Sequence, residues 1–312
     1  MRLLQSFLDK ALPDGQLTVI TPGSHATYGR GGKHLTIRLH DRRALLDILR
    51  NPRLKVGETY MDGRLTVEDG TILDLLELVV GANPFERGGH KGKLRKGRLG
   101  PLKKLLRRNP AHRAKRNVAH HYDLDGRLYR LFLDPDLQYS CAYFRDPGNS
   151  LEQAQADKKA HIAAKLHLQP GQRVLDIGSG WGGMALYLNR VADVDVLGVT
   201  LSKEQLAVAR QRAEEAGVAD RVKFELIDYR HVTGRFDRIV SVGMFEHVGA
   251  AHYREFFAKC RQLLTDDGVM LLHTIGKYGK AGGPDPFTDK WIFPGYHLPS
   301  LSQMSEAAES VR

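Results

Sequence analysis

The chain is poor in cysteine: its 312 residues hold only Cys141 and Cys260. Two distant thiols exclude a disulfide framework and offer no zinc-binding spacing, so no metal is expected and a reducing compartment is the simplest setting. Long hydrophobic runs are also missing. No apolar stretch reaches the roughly 18 residues that a membrane-crossing helix needs. The opening residues carry Asp9 and Lys10 inside a short apolar pattern and resemble neither a secretory signal nor a span. Acidic residues are absent from one long stretch. Between Arg87 and Arg116 there are 13 Lys or Arg and no Asp or Glu, and removing those 13 takes the net charge from +11 to −2. Basicity is therefore a local device, suited to a polyanion such as nucleic acid or an anionic membrane surface; the alternative is a solvated linker. An RNA-binding signature with interleaved aromatics is lacking too, so no nucleic acid partner is expected.

What is present has the composition of a soluble globular protein, 42% hydrophobic and 27% charged, with length for about two domains. Residues 1–85 read as a small α+β accessory domain, with strands at 17–20 and 35–39 and helices at 43–49 and 69–80, the first ended by Asn51-Pro52. Residues 86–116 read as a basic linker, in which 101–108 would form a short basic amphipathic helix able to lie on a membrane. A helical pattern over 151–168 then leads into regular alternation. Strands are expected at 173–177, 194–199, 222–227, 236–242 and 268–275, with helices at 183–191, 203–216 and 251–264. A last helix is expected at 302–311. Such alternation specifies an α/β domain with a parallel sheet covered on both faces.

The most informative stretch follows the first strand of this domain: Gly178-Ser179-Gly180-Trp181-Gly182-Gly183. Glycines here let backbone approach a ligand at the start of a helix, but dinucleotide folds use similar turns. Two details favour S-adenosylmethionine. Asp176, just before the turn, can attract a positively charged methionyl group, and Trp181 places a large aromatic where a pyrophosphate would need open amides. The second strand lacks the usual terminal acid; Thr200, Leu201, Ser202 and Gln205 stand there, and hydroxyl and amide groups can replace the carboxylate. Asp228, followed by Tyr229, is placed to meet an adenine amino group, with a loop cap as its alternative role.

These stretches, in order and spacing, resemble the cyclopropane-fatty-acyl-phospholipid synthase family, related to the mycolic acid cyclopropane synthases. The resemblance runs from about residue 117 to 304. It is carried by 121–124 (HYDL), 128–135, 138–144 (QYSCAYF), 175–183, 198–205, 237–249 and 293–295. It implies a class I S-adenosylmethionine-dependent methyltransferase fold, Rossmann-like, over 117–312, with the first unit as an accessory, lipid-docking domain. It implies transfer of a methylene group to the cis double bond of an unsaturated phospholipid acyl chain at the inner face of the membrane, by a cytoplasmic, peripherally bound enzyme. An alkene is a weak nucleophile, so the methyl donor must be aligned with it away from water, and ring closure requires a base. The resemblance implies a bicarbonate ion in that role, held by Cys141, Glu246, His273 and the backbone of Ile275, with Tyr139 and Ser140 on the cofactor. Taken singly, Cys141 reads equally as a buried thiol, His273 as a core histidine and Glu246-His247 as a helix start. The resemblance also allows a homodimer.

One departure counts. The family continues past this chain with a further tyrosine and the last antiparallel strands, so the expectation is a truncated product lacking an edge hairpin, with impaired catalysis. Two other readings stay open: a methyltransferase that makes methyl-branched lipid or acts on another substrate, and a non-catalytic membrane-binding remnant.

Overall fold

Alternation sets the first sheet. In β1 (Gly15–Thr21) and β3 (His34–Leu39) every second residue turns inward, burying Leu17 and Val19 from one and Leu35, Ile37 and Leu39 from the other. The computed structural model describes residues 12, 14–80, 126–279 and 283–311. The basic segment 87–116, the amphipathic helix expected at 101–108 and the 121–124 motif lie outside them. β1 forms a hairpin with β2 (Ser24–Arg30) across Pro22-Gly23 and runs parallel to β3, which pairs antiparallel with β4 (Leu65–Val67). Among the described residues this unit has three α-helices: α1 (Arg42–Arg50), α2 (Pro52–Met61) and α3 (Ile72–Val80). Asp41 caps α1 by accepting from the Ala44 amide. Asn51-Pro52 does end that helix, but Pro52 also opens α2, because a first-turn position needs no N–H from it.

The unit has its own core, which includes Leu17, Leu35, Ala44, Leu65 and Leu75. Asp285–Trp291 also belongs to it. The Glu58 carboxylate is nearly inaccessible and takes hydrogen bonds from Lys55 (2.6 Å), Lys290 (2.5 Å) and the Trp291 indole (3.0 Å). Those from Lys290 and Lys55 hold its pKa down at about 2.

The second unit starts, among the described residues, with α4 (Gly126–Arg130) and α5 (Leu151–Leu166). Its sheet consists of β5 (Arg173–Ile177), β6 (Asp195–Thr200), β7 (Val222–Leu226), β8 (Phe236–Val242) and β9 (Leu264–His273). All neighbours run parallel, in the order β7-β6-β5-β8-β9. β5 is buried on both faces from Val174 to Ile177, as a central parallel strand must be. The helices α6 (Gly183–Ala192), α7 (Lys203–Glu215), α8 (Tyr253–Leu263) and α9 (Leu301–Glu309) also belong to it. One core gathers Leu166, Val174, Leu188 and Phe224; another gathers Leu175, Ile239, Phe256 and Leu263. This is the expected α/β fold. The chain leaves β5 for β6 on one side and later reaches β8 on the other, and such a reversal opens a crevice at the carboxyl ends of the strands.

Candidate active site

A cavity occupies that crevice. Its wall includes Tyr139, Ser140, Asp176, Gly178, Gly180 and Trp181, with Thr200, Leu201, Gln205, Asp228 and Tyr229 from the ends of β6 and β7. Asp176 is 1% exposed, and its Oδ2 has no hydrogen-bond partner. Burial pushes its pKa up to about 7, with the Lys158 charge pulling the other way. Beyond it the backbone turns back, and the amides of Gly178 and Ser179 both donate to the Val199 carbonyl. Gly178, Gly180 and Gly182 all adopt left-handed backbone, and a Cβ at Gly178 would come within 2.9 Å of the Met244 side chain. Gly182 serves as the N-cap of α6.

Trp181 is buried, donates its indole N–H to Glu204 (3.0 Å) and packs edge-on to Tyr129, which packs in turn on Tyr139. Phe293 stacks on Tyr139 with ring centroids 6.2 Å apart. At the end of β6 the Thr200 hydroxyl donates to Gln205 Oε1 (3.1 Å) and accepts from the Ser202 amide (3.2 Å). Ser202 caps α7, its hydroxyl accepting from the Gln205 amide, and is not among the residues that line the cavity. Asp228 does act as the loop cap, at the start of the turn Tyr229–His231. It faces the cavity and accepts from the backbone and guanidinium of Arg230. Burial raises its pKa, but Arg230 outweighs that and the net direction is downward.

None of the expected catalytic residues, Cys141, Glu246, His273 and Ile275, is in the lining of this cavity. Glu246 follows β8, is buried, and accepts from the Ile275 amide at 2.5 Å; its Oε2 has no partner. His273 ends β9, and its Nδ1 is buried without a partner. Burial, then the Lys158 charge, lower its pKa and favour the neutral ring. Cys141 is exposed, which removes the buried-thiol alternative. The donor set does not suit an anion as it stands: the Ile275 amide already serves Glu246, whose carboxylate would repel a second negative charge. A buried carboxylate with a bare oxygen, beside an open glycine turn and a second acid, suits instead a flat nucleoside with a cationic arm. No group of three potential metal ligands occurs among the described residues.

Residues 109–312, well over half of the chain, match the family described as mycolic acid cyclopropane synthetase. The chain belongs to this family. Residues 9–84 match a separate domain of unknown function. Cyclopropane-fatty-acyl-phospholipid synthase of Escherichia coli (strain K12) is 49% identical over 189 residues, 61% of this chain and 48% of that protein. A probable fatty acid methyltransferase of Pseudomonas putida is 45% identical over 197 residues, 60% of this chain and 50% of that protein. This chain thus spans about half the length of these curated relatives. The solved cyclopropane synthase MmaA2 from Mycobacterium tuberculosis superposes with a TM-score of 0.60 at 36% identity, covering 63% of this chain and 74% of that one. Mycolic acid cyclopropane synthase CmaA1, solved with SAH and CTAB, gives 0.59 at 39% identity, with the same coverage.

Within this family member, several cavity residues escape reading by motif. Leu137, Gln138, Met244 and His247 line the cavity with no local pattern to announce a ligand. Gln138 opens the 138–144 motif, and Met244 and His247 fall inside the 237–249 motif; these are the signals the sequence offers for them. Lys158 had none, since a lysine in a helix reads as a solvated residue.

Proposed function

We propose that this protein transfers a methylene group from S-adenosylmethionine to the cis double bond of an unsaturated phospholipid acyl chain, forming a cyclopropane ring. The observation that carries this reading is the buried, unpartnered Oδ2 of Asp176 beside the glycine turn. An unpaired buried carboxylate is costly unless a ligand brings positive charge to it. When bound, S-adenosylmethionine supplies an electrophilic methyl on a positively charged sulfur. Asp176, with Gly178, Gly180 and Gly182, would receive the methionyl end. Thr200, Leu201, Ser202 and Gln205 would fix the ribose, and Asp228 and Tyr229 the adenine. Tyr139, Ser140 and Trp181, which line the same cavity, would also touch the cofactor, with Phe293 stacked on Tyr139.

Closing the ring takes a proton from the transferred carbon. Two acceptors neighbour lining residues: Glu246 Oε2, in the chain between Met244 and His247, and the neutral ring of His273, whose carbonyl accepts from the Gly243 amide. Cys141, Glu246, His273 and Ile275 do not fit a bicarbonate ion, because the Ile275 amide is already bonded to Glu246. On this reading the enzyme is cytoplasmic and rests on the inner face of the membrane, with the basic 87–116 segment against anionic lipid. Among the described residues no helix is long and apolar enough to cross a membrane.

The test is incubation with labelled S-adenosylmethionine and unsaturated phospholipid vesicles, followed by mass spectrometry. The expected product gains one CH2 and loses its double bond. A gain of one CH2 without ring formation would assign the chain to methyl-branched lipid instead. Cofactor binding without any lipid product would make it a non-catalytic remnant.

A further inference from the structure

Helix α5 turns an unusually polar face inward. Gln155, Lys158 and Lys159 are all buried beside Ala154 and Ile162. What they meet is the irregular segment 134–140, which forms one wall of the cavity and has no regular hydrogen-bonded structure of its own past α4. Side chains replace that structure. Gln155 Nε2 donates to the carbonyls of Gln138 (3.1 Å) and Ser140 (3.0 Å). Lys158 Nζ donates to Gln138 Oε1 (2.9 Å) and Ser140 Oγ (2.7 Å). Lys159 and Arg212 both pair with Asp136. Leu137, between them, sits at φ 56°, a left-handed conformation that a leucine keeps only when its surroundings impose it.

Lys158 stands out in this network. It is 3% exposed, yet both acceptors of its ammonium are neutral. Burying an ammonium without a direct counter-charge is costly, and an apolar side chain of similar length would be as stable or more so. Its charge is therefore better explained by what it does to the site. The charged and titratable groups around it are Asp134, Asp136 and Cys141 on the wall segment, Lys159 on its own helix, Asp176 on β5 and His273 on β9.

We propose that Lys158 is a positioning residue of the cavity: its ammonium fixes the Gln138–Ser140 wall and brings a positive charge to bear on the Asp176 side of the site that a cationic ligand would enter. The proposal rests on the cavity being the S-adenosylmethionine site. The same charge disfavours protonation of His273, so one lysine biases both the residue that would receive the cofactor and one that would take the proton. Burial lowers the pKa of Lys158 to about 8, against the pull of Asp134 and Asp136, so the ammonium is present through the neutral range.

The test is calorimetric titration of the full chain with S-adenosylmethionine between about pH 6 and 8, comparing wild type with Lys158→Met and Lys158→Arg. In the wild type, affinity rises with pH as Asp176 ionises. In Lys158→Met the rise moves to higher pH; a midpoint about one pH unit higher lowers affinity near pH 7 about fivefold. Lys158→Arg, which keeps the charge, returns the midpoint toward that of wild type. A Lys158→Met profile that overlays the wild type within about twofold overturns the proposal, because a purely structural lysine would not move the midpoint. If Lys158→Met does not fold, Lys158→Gln, whose amide can donate to the same acceptors, takes the same test. A wild type that binds no S-adenosylmethionine at any pH overturns the cofactor reading itself, a result separate from an unshifted midpoint.

Discussion

Asp176 is where function is set against stability in a single side chain. Its folded-state pKa, about 7, lies above the ordinary value of 3.8, so between those values the folded protein holds a proton that the unfolded chain has released. Stability contributed by this group is therefore present below about pH 4 and falls as pH rises toward 7. Asp176→Asn keeps the shape and removes the buried charge. At pH 8 the ligand-free variant should be more stable than wild type by roughly 1–3 kcal/mol, while S-adenosylmethionine affinity drops at least about tenfold. Thermal melts with and without the cofactor check both halves; a variant less stable than wild type at pH 8 would contradict the desolvation argument. Asp176 and the glycines could be read in advance because turn chemistry is local. The Glu246–Ile275 bond joins residues 29 apart, and Lys158 reaches Ser140 from a different element. Spacing along a chain says nothing of such contacts. The family resemblance named Glu246 and Ile275, but not their bond.

At the scale of elements, legibility followed burial. The strands of the second sheet are apolar runs closed by turn residues, and four of the five both start and end within one residue of the expected bounds. β9 begins four residues early, at Leu264, because it runs through Asp266-Asp267-Gly268, which reads as a turn. β2 went unread because only Tyr28 of its seven residues is buried, and β4 because three residues carry no period. The glycine turn gives an element-level contrast. Gly182 is at φ 85°, and a Cβ there would lie 2.7 Å from Phe224 Cζ and 3.1 Å from Ala209 Cβ, where α6 meets β7 and α7. Gly180 is at φ 54° with nothing within 4 Å. Gly182→Ala should thus cost about 2–4 kcal/mol, strain plus overpacking, and Gly180→Ala only about 1 kcal/mol. Urea unfolding of the two variants separates these values, and equal losses would mean that helix packing against Gly182 is looser than its geometry indicates.

For the molecule as a whole, charge is the feature that folding does not explain. Thirteen basic residues within 87–116 exceed the entire net charge of +11, so the rest of the chain carries a small negative excess. A proposed lipid substrate gives that asymmetry a use. Each Lys or Arg near an anionic bilayer contributes about 1 kcal/mol, and that attraction fades over a screening length of about 10 Å at 0.1 M salt. The chain should therefore sediment with anionic phospholipid vesicles and release by more than about tenfold between roughly 0.05 and 0.5 M NaCl, while zwitterionic vesicles hold little of it at either salt. Replacing Lys103, Lys104, Arg107 and Arg108 together by alanine should weaken binding at low salt without altering S-adenosylmethionine affinity, since the four lie outside the sequence stretches assigned to the cofactor. Binding that ignores salt, or survives the fourfold replacement intact, would move membrane attachment from the basic segment to apolar contact elsewhere, and the charge would then be no more than a solubilising linker.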